Sequence, residues 1–266
     1  SFEHDDWMKI YEGRWSFLSS SYFGVQYTKE LRFGKHPFKD QSIILSSRGR
    51  SSGWMRQRDR DRLGNYLSGL VVKDPQQVET MTRRLKQYAK DFLEFISKHE
   101  NTMATEKLYL EFWNRLLVYY HAHISVKYIV DYLSPECLRK YLPKFQEARL
   151  TAEPVLNRTE DWLIMFAKFL SKQVGYDYTL LLCLGKKEIQ NYFHTGKLPK
   201  KSVLQARDKR SALLHDCGRV QIFVGREVDR IEKLVHPKFD AILVKGAIAF
   251  QGRISGVARL VPDPHN

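Results

Sequence analysis

Apolar residues recur with helical spacing through the middle of the chain. The clearest case follows Asp74-Pro75, where an aspartate cap and a proline at the first position predict the start of a helix. Its predicted buried stripe consists of Val78, Met81, Leu85, Tyr88, Ala89, Phe92 and Ile96. Further helices are predicted over 105–133, from Ser134-Pro135, from Thr159, over 186–194 and over 202–214. Short connections between these segments favour antiparallel packing in one helical bundle.

The residues before this region are predicted to add one helix and a polar loop. Four apolar residues share the spacing of one helical face: Trp7, Tyr11, Trp15 and Leu18. This spacing predicts a first helix that begins at Asp5 or Asp6. The most polar segment of the chain is 48–62, where serines and glycines predict a loop and alternating Arg and Asp predict a helix after it.

A period of two replaces the helical period only near the C-terminus. Residues 219–225 predict a short strand, and 227–235 predict a helix. Over 240–261, one phase of the alternation is apolar: Ile242, Val244, Ile248, Phe250, Ile254, Ala258 and Leu260. Gly246, Gly252 and Gly256 interrupt this stretch, where a turn or a bulge is expected.

The predicted fold class is therefore mainly α, with a helical bundle followed by a small β-containing C-terminal element. We expect one domain over 1–214 and the beginning of a second over 215–266. Because the chain starts with Ser1 and stops shortly after the predicted strands, we expect it to be a fragment of a longer protein.

Two blocks of residues carry a resemblance to a known family. The first is Gly246-Ala-Ile-Ala-Phe-Gln-Gly252 followed by Gly256-Val-Ala-Arg-Leu-Val261, which contains Arg259. The second is Glu188-Ile189, then Gly196, then Arg207. In this order they resemble the PEP-utilising enzymes, a family that includes phosphoenolpyruvate synthase, pyruvate phosphate dikinase and the rifampicin phosphotransferases. The first block is similar to the opening of the family's swivelling phosphohistidine domain, and the second to its "E-I, then G, then R" pattern. The family usually has Ser-Pro where this chain has Phe250-Gln251.

The resemblance implies a phosphotransferase in which an ATP-grasp domain phosphorylates a histidine of the swivelling domain, which carries the phosphoryl group to a second site. Imidazole suits this task because it is nucleophilic near neutral pH. The family's histidine follows a T-x-G-G pattern that this chain lacks, and His265 has no such context. The chain also has no phosphate-binding G-x-x-x-x-G-K-[ST] loop. We therefore predict no catalytic residue here, and the resemblance implies ATP and Mg²⁺ only for a parent enzyme with its ATP-grasp and swivelling domains.

The charge balance favours acidic partners. Lys and Arg total 44 against 30 Asp and Glu, which gives a net charge of +14. The candidate contacts to phosphates or nucleic acid are Arg48, Arg50, Arg56 and Arg58. A phosphorylated small molecule is the favoured partner, and nucleic acid is less favoured because Asp59 and Asp61 interrupt the arginines. The alternative function is a non-enzymatic basic helical module that binds nucleic acid or another acidic partner.

Other site classes receive little support. No apolar run is as long as a membrane span, and no signal peptide is recognisable, so we expect no membrane partner and a cytoplasmic location. The three cysteines form no C-x-x-C pair, which argues against a cysteine zinc site. His121 and His123 point about 200° apart on a helix and make a poor metal pair.

Overall fold

The structure is a computed structural model that describes residues 6–28, 41–216 and 219–235. Five antiparallel strands form one sheet in the order β1-β3-β2-β4-β5. They are β1 (Trp7–Gly13), β2 (Gln41–Ser47), β3 (Arg50–Arg56), β4 (Ser211–Asp216) and β5 (Arg219–Val224). The sheet therefore pairs strands from the two ends of the described chain.

Helices make up most of the remaining described residues. The first two are α1 (Phe17–Thr28) and α2 (Gln57–Lys73). The bundle continues with α3 (Gln76–Lys98), α4 (Glu106–Ile129), α5 (Pro135–Ala152) and α6 (Pro154–Val174). The shorter helices are α7 (Tyr178–Leu181), α8 (Lys186–Thr195), α9 (Lys201–Lys209) and α10 (Arg226–Val235), with a 3₁₀ turn at Val130–Tyr132.

Aromatic side chains fill the core of the bundle around α4. Trp162 of α6 stacks on Phe112 of α4 with ring centroids 3.9 Å apart, and Phe166 lies 5.2 Å from Trp162. Leu116 and Tyr119, one and two turns further along α4, are fully buried. α4 is thus buried on most of its sides, as its nearly continuous apolar sequence predicts.

Helices cover both faces of the sheet. On the inner face, Phe17 of α1 packs with Ile44 and Leu213. On the outer face, three apolar residues of α10 pack against Ile43, Trp54 and Ala212: Val228, Ile231 and Val235. Because α1 also packs into the bundle through Leu18 and Tyr22, it joins the sheet to the helices.

The fold class is confirmed as mainly α with a small β element, and the helices predicted between 75 and 195 are present. The strand predicted at 219–225 and the helix predicted at 227–235 are also confirmed, as β5 and α10. The stretch over 240–261 lies outside the described residues.

The predicted first helix is wrong, because residues 7–13 form β1 and the helix begins only at Phe17. A register shift between Lys9 and Tyr11 interrupts the pairing of β1 with β3. The shift lets Trp7 pack against the outer-face cluster while Tyr11 packs against the bundle core. Trp7 and Tyr11 are four residues apart and pack on opposite sides of a strand. The same spacing would place them on one face of a helix, which is why the sequence predicts a helix here.

Two boundaries near the sheet also differ from expectation. The predicted loop after Arg48 contains β3, and the helix that follows begins at Gln57. The helix predicted over 202–214 ends at Lys209, since Ser211–Asp216 is β4. The compact unit that holds these strands extends to residue 236, and the division into domains at 214/215 stays a prediction.

Candidate functional site

Two residues of the predicted family pattern meet where the bundle joins the sheet. The guanidinium of Arg207 on α9 donates to both carboxylate oxygens of Glu188 on α8, at 2.6 Å to Oε2 and 2.9 Å to Oε1. The same guanidinium donates to the carbonyl oxygen of Cys183 at 3.2 Å and lies 5.4 Å from the centre of the Phe17 ring. Only 8% of Arg207 is exposed, so this is a largely buried, bidentate ion pair.

The other residues of the pattern shape α8. The Glu188 carboxylate accepts a hydrogen bond of 2.8 Å from the backbone N–H of Gly185, which caps the start of the helix. Ile189 is buried in the bundle core. Gly196 ends the helix with a φ of 68°, a left-handed conformation that favours glycine. The second motif block thus has a defined structural role at each of its residues.

Chemically, this cluster is suited to holding elements together. Each charge of the Glu188–Arg207 pair is neutralised by the other, and neither is left free to bind a ligand. Burial raises the pKa of the nearby Cys183 thiol to about 12, so the sulfur stays protonated near neutral pH and is a weak nucleophile. The Asp208 carboxylate, whose Oδ1 lies 4.0 Å from the sulfur, raises this pKa further.

The candidate arginines Arg48 and Arg50 lie at the turn between β2 and β3. Arg48 and Gly49 form the turn with φ values of 47° and 73°, and Arg48 is the only non-glycine residue with a positive φ in the described chain. The turn is attached to the end of α9, since the Arg48 N–H donates to the carbonyl of Asp208 at 2.7 Å. It therefore sits next to Arg207 of the ion pair, although 159 positions separate Arg48 from Arg207 in sequence.

Arg56 and Arg58 lie at the opposite end of β3. Arg56 is six residue steps along the strand from Arg50, which places the two about 20 Å apart. Arg56 is also occupied by an ion pair of 2.6 Å with the buried carboxylate of Asp59. The structure thus divides the four candidate arginines into two groups, and they do not form one continuous basic face.

Cavities flank the turn of Arg48 and Arg50. One, of about 440 Å³, is lined by Arg48, Cys183 and Asp208 among others. Another, of about 380 Å³, is lined by Arg50 and several serines, including Ser46 and Ser211. A larger groove of about 790 Å³ lies between α3 and α4. The cavities at the turn could not be predicted from sequence, because their walls come from strands distant along the chain.

The other candidate positions, and the metal and membrane classes of site, contribute nothing to the site within the described residues. Gly246, Gly252, Gly256 and Arg259 lie outside the described residues. Within the described ranges, no group of three or more His, Cys, Asp and Glu side chains is arranged to hold a metal ion. Among the same residues, no helix has the length and apolar character needed to cross a bilayer.

Burial also lowers the pKa of His123 and of His215. His123 is half-buried on α4, and burial lowers its pKa to about 3, with the charges of Lys127 and Arg149 adding to the effect. His215 on β4 is fully buried, which lowers its pKa to about 3 as well. Both rings are therefore neutral at physiological pH.

Comparisons with known proteins add no relative. No family model, no curated protein and no solved structure matches this chain. The resemblance to the PEP-utilising enzymes therefore stays a prediction, and among the described residues it rests on the Glu188–Arg207 block.

Proposed function

We propose that this chain is the helical part of a phosphotransferase similar to the PEP-utilising enzymes. In this proposal it positions the substrate or the swivelling phosphohistidine domain and carries no catalytic histidine of its own. The ATP-grasp domain and the swivelling domain would supply the chemistry, with ATP and Mg²⁺ bound there. The whole protein would work in the cytoplasm on a phosphorylated substrate.

The observation that carries the proposal is the contact between Glu188 and Arg207. These residues were singled out from a family pattern, and they are 19 positions apart on different helices. A chance match gives no reason for the two to form a buried bidentate pair. Their contact supports the view that the residues of the pattern form one structural unit, with Gly196 as the helix-ending residue between them.

The location of the pair suggests how the chain would position another domain. The end of α9 holds both the β2–β3 turn, through Asp208, and the start of β4. β4, β5 and α10 then follow in sequence and precede the segment over 240–261 that carries the first motif block. A stiff junction at Arg207 would give a moving phosphoryl carrier a fixed base, which a transfer between two sites requires.

Labelling experiments test the proposal. The chain alone, incubated with ATP labelled at the β- or γ-phosphate or with labelled phosphoenolpyruvate, should remain unlabelled. The natural protein that contains the predicted ATP-grasp and swivelling domains should acquire an acid-labile label on histidine. In that protein, Arg207→Lys should slow phosphoryl transfer, because lysine cannot make the bidentate contact, while Lys209→Gln on the same helix should not.

Two results would contradict the proposal. One is stoichiometric acid-labile labelling of the isolated chain, which would require a histidine site within it. The other is a natural protein without a T-x-G-G…H loop after residue 261. The second result would favour the alternative of a basic binding module, for which the separated arginine groups give no specific support.

A further inference from the structure

A cavity on the inner side of the sheet lies where the β2–β3 turn meets the start of α1 and the end of α9. Its volume of about 440 Å³ suits a small molecule. Phe17 and Leu182 give it apolar walls. Its polar lining consists of Ser16, Ser46, Arg48, Thr179, Cys183 and Asp208. A ligand of this cavity therefore meets both an apolar surface and several groups that can form hydrogen bonds.

The two charged groups of the lining have opposite signs, and neither is compensated within the described residues. Arg48 is exposed, and its guanidinium makes no hydrogen bond or ion pair with them. The half-buried carboxylate of Asp208 makes no ion pair, and its one polar contact is with the Cys183 sulfur at 4.0 Å. A backbone hydrogen bond of 2.7 Å joins Arg48 to Asp208, so the two available charges lie on segments that touch.

The backbone conformation of Arg48 is a second, independent observation. Its φ of 47° lies in the left-handed region, which costs free energy in every residue with a Cβ atom and least in asparagine and aspartate. Two-residue hairpin turns with positive φ values therefore favour Asn, Asp and Gly. The turn alone disfavours an arginine at this position, which points to a role for its side chain.

The hydroxyl of Ser46 is a third feature of the cavity. Ser46 lies two residues after Ile44 on β2, so its side chain is on the inner face, the side on which Phe17 packs. Only 5% of Ser46 is exposed, and its hydroxyl has no hydrogen-bond partner among the described residues. A nearly buried hydroxyl without a protein partner is unfavourable, and a polar ligand in the cavity would relieve this.

We propose that this cavity binds a free α-amino acid with an apolar side chain. The Arg48 guanidinium would donate to the carboxylate of the ligand, and the Asp208 carboxylate would accept from its ammonium group. The Ser46 hydroxyl would donate to the ligand carboxylate. The apolar side chain of the ligand would lie against Phe17 and Leu182.

The charges of the cavity favour a zwitterion over a simple ion. Asp208 repels an anion that approaches Arg48, and Arg48 repels a cation that approaches Asp208, whereas an amino acid satisfies both. The inference goes beyond the proposed function, since neither Glu188 nor Arg207 contacts the ligand and no phosphoryl transfer is involved.

Calorimetric titration of the purified chain tests the site, with L-leucine and L-phenylalanine as probes. Both should bind saturably at one site. Two analogues of leucine each lack one charge: 4-methylpentanoate has no ammonium group, and 3-methylbutylamine has no carboxylate. Each should bind at least about tenfold more weakly, the usual effect of losing a charged hydrogen bond.

Three variants test the groups of the site. Arg48→Asn and Asp208→Asn should each weaken leucine binding at least about tenfold, and Ser46→Ala about threefold to tenfold, the range for a neutral hydrogen bond. Because asparagine tolerates a positive φ, Arg48→Asn should also raise the melting temperature by about 2–4 °C. A variant that is more stable and binds more weakly separates loss of the site from loss of the fold.

Matched variants at exposed positions control for charge and for the hydroxyl. Arg139→Gln on α5 and Asp161→Asn on α6 remove the same charges, and Ser97→Ala on α3 removes a hydroxyl. All three should bind leucine like the unchanged chain. Thermal unfolding of every variant shows whether it is folded, and Arg48→Asn keeps the test valid even if Ser46→Ala does not fold.

Several outcomes would overturn the inference. One is a lack of saturable binding of either amino acid up to about 10 mM, far weaker than a specific site. Another is a folded Arg48→Asn variant that binds leucine as tightly as the unchanged chain. Binding of 4-methylpentanoate as tight as that of leucine would show a site for anions, and equal binding of 3-methylbutylamine would show a site for cations. None of these results depends on the labelling experiments, so the two proposals can fail separately.

Discussion

Replacing Arg207 by methionine should destabilise the protein strongly. The change keeps much of the side-chain volume and removes the charge that compensates Glu188. Breaking a fully buried ion pair on one side costs about 3–5 kcal/mol, because the other charge is left without a partner. The Glu188 side chain is 27% exposed, so water can recover part of this loss. We therefore expect the free energy of unfolding to fall by about 3 kcal/mol.

Urea denaturation followed by circular dichroism measures this change. A loss of about 3 kcal/mol also lowers the melting temperature by roughly 6–12 °C in a protein of this size. The control is Lys209→Gln, which removes a positive charge from an exposed position on the same helix. Its free energy of unfolding should change by less than about 0.5 kcal/mol.

The double variant Glu188→Gln/Arg207→Met distinguishes pairing from packing. If the loss comes from an uncompensated carboxylate, the double variant should be more stable than Arg207→Met alone. A strictly additive double variant would refute this reasoning. So would an Arg207→Met variant as stable as Lys209→Gln, since the pair would then contribute nothing measurable.

Three other predictions concern the sheet, the histidines and the basic surface. Gly24→Ala should destabilise the protein by about 1–3 kcal/mol in urea denaturation, because the new methyl group would lie 2.0 Å from His215. Gly69→Ala, which has open space around it on α2, should instead stabilise the protein by up to about 1 kcal/mol in the same assay. His123 and His215 have folded-state pKa values near 3, below the ordinary 6.5, so the unfolded state binds more protons between these values. The free energy of unfolding should therefore fall as the pH is lowered from 6.5 towards 3. When unfolding curves are measured across that range, replacing either histidine should reduce the slope of this free energy against pH by the contribution of one proton. Because the candidate arginines lie in two separate groups, fluorescence titration with a labelled single strand at physiological salt should show only weak binding, and submicromolar affinity would contradict this.

The helices could be predicted from sequence because their signals are local. Asp74, Ser134 and Thr105 precede apolar stripes of helical period, and the structure has a helix after each of them. The caps of Ser134 and Thr105 use their own side chains, which accept from the backbone N–H groups of Cys137 and Leu108. These interactions span three residues, so a short window of sequence contains them.

The sheet could not be predicted in this way, because its pairing is not local. Residues 212–214 of β4 are consecutively apolar, and buried positions alternate between two covered faces of the sheet. Such a run shows no period of two and extends the preceding helical pattern. In β1, the register shift produced the same error, a helix predicted where the structure has a strand. The cavity of Arg48 and Asp208 was missed for the same reason, since its walls come from α1, the β2–β3 turn, α7 and α9.

The pairing of β2 with β4 has a consequence for folding. The hydrogen bond between Gln41 and Asp216, at the end of this pair, spans 175 residues. Closing so long a loop costs chain entropy that is offset only once the intervening helices have become compact. We therefore expect the bundle to form first and β4 to join the sheet late. Until that step, β2 exposes one unpaired side, and a partly folded chain is most prone to pair with a second copy there.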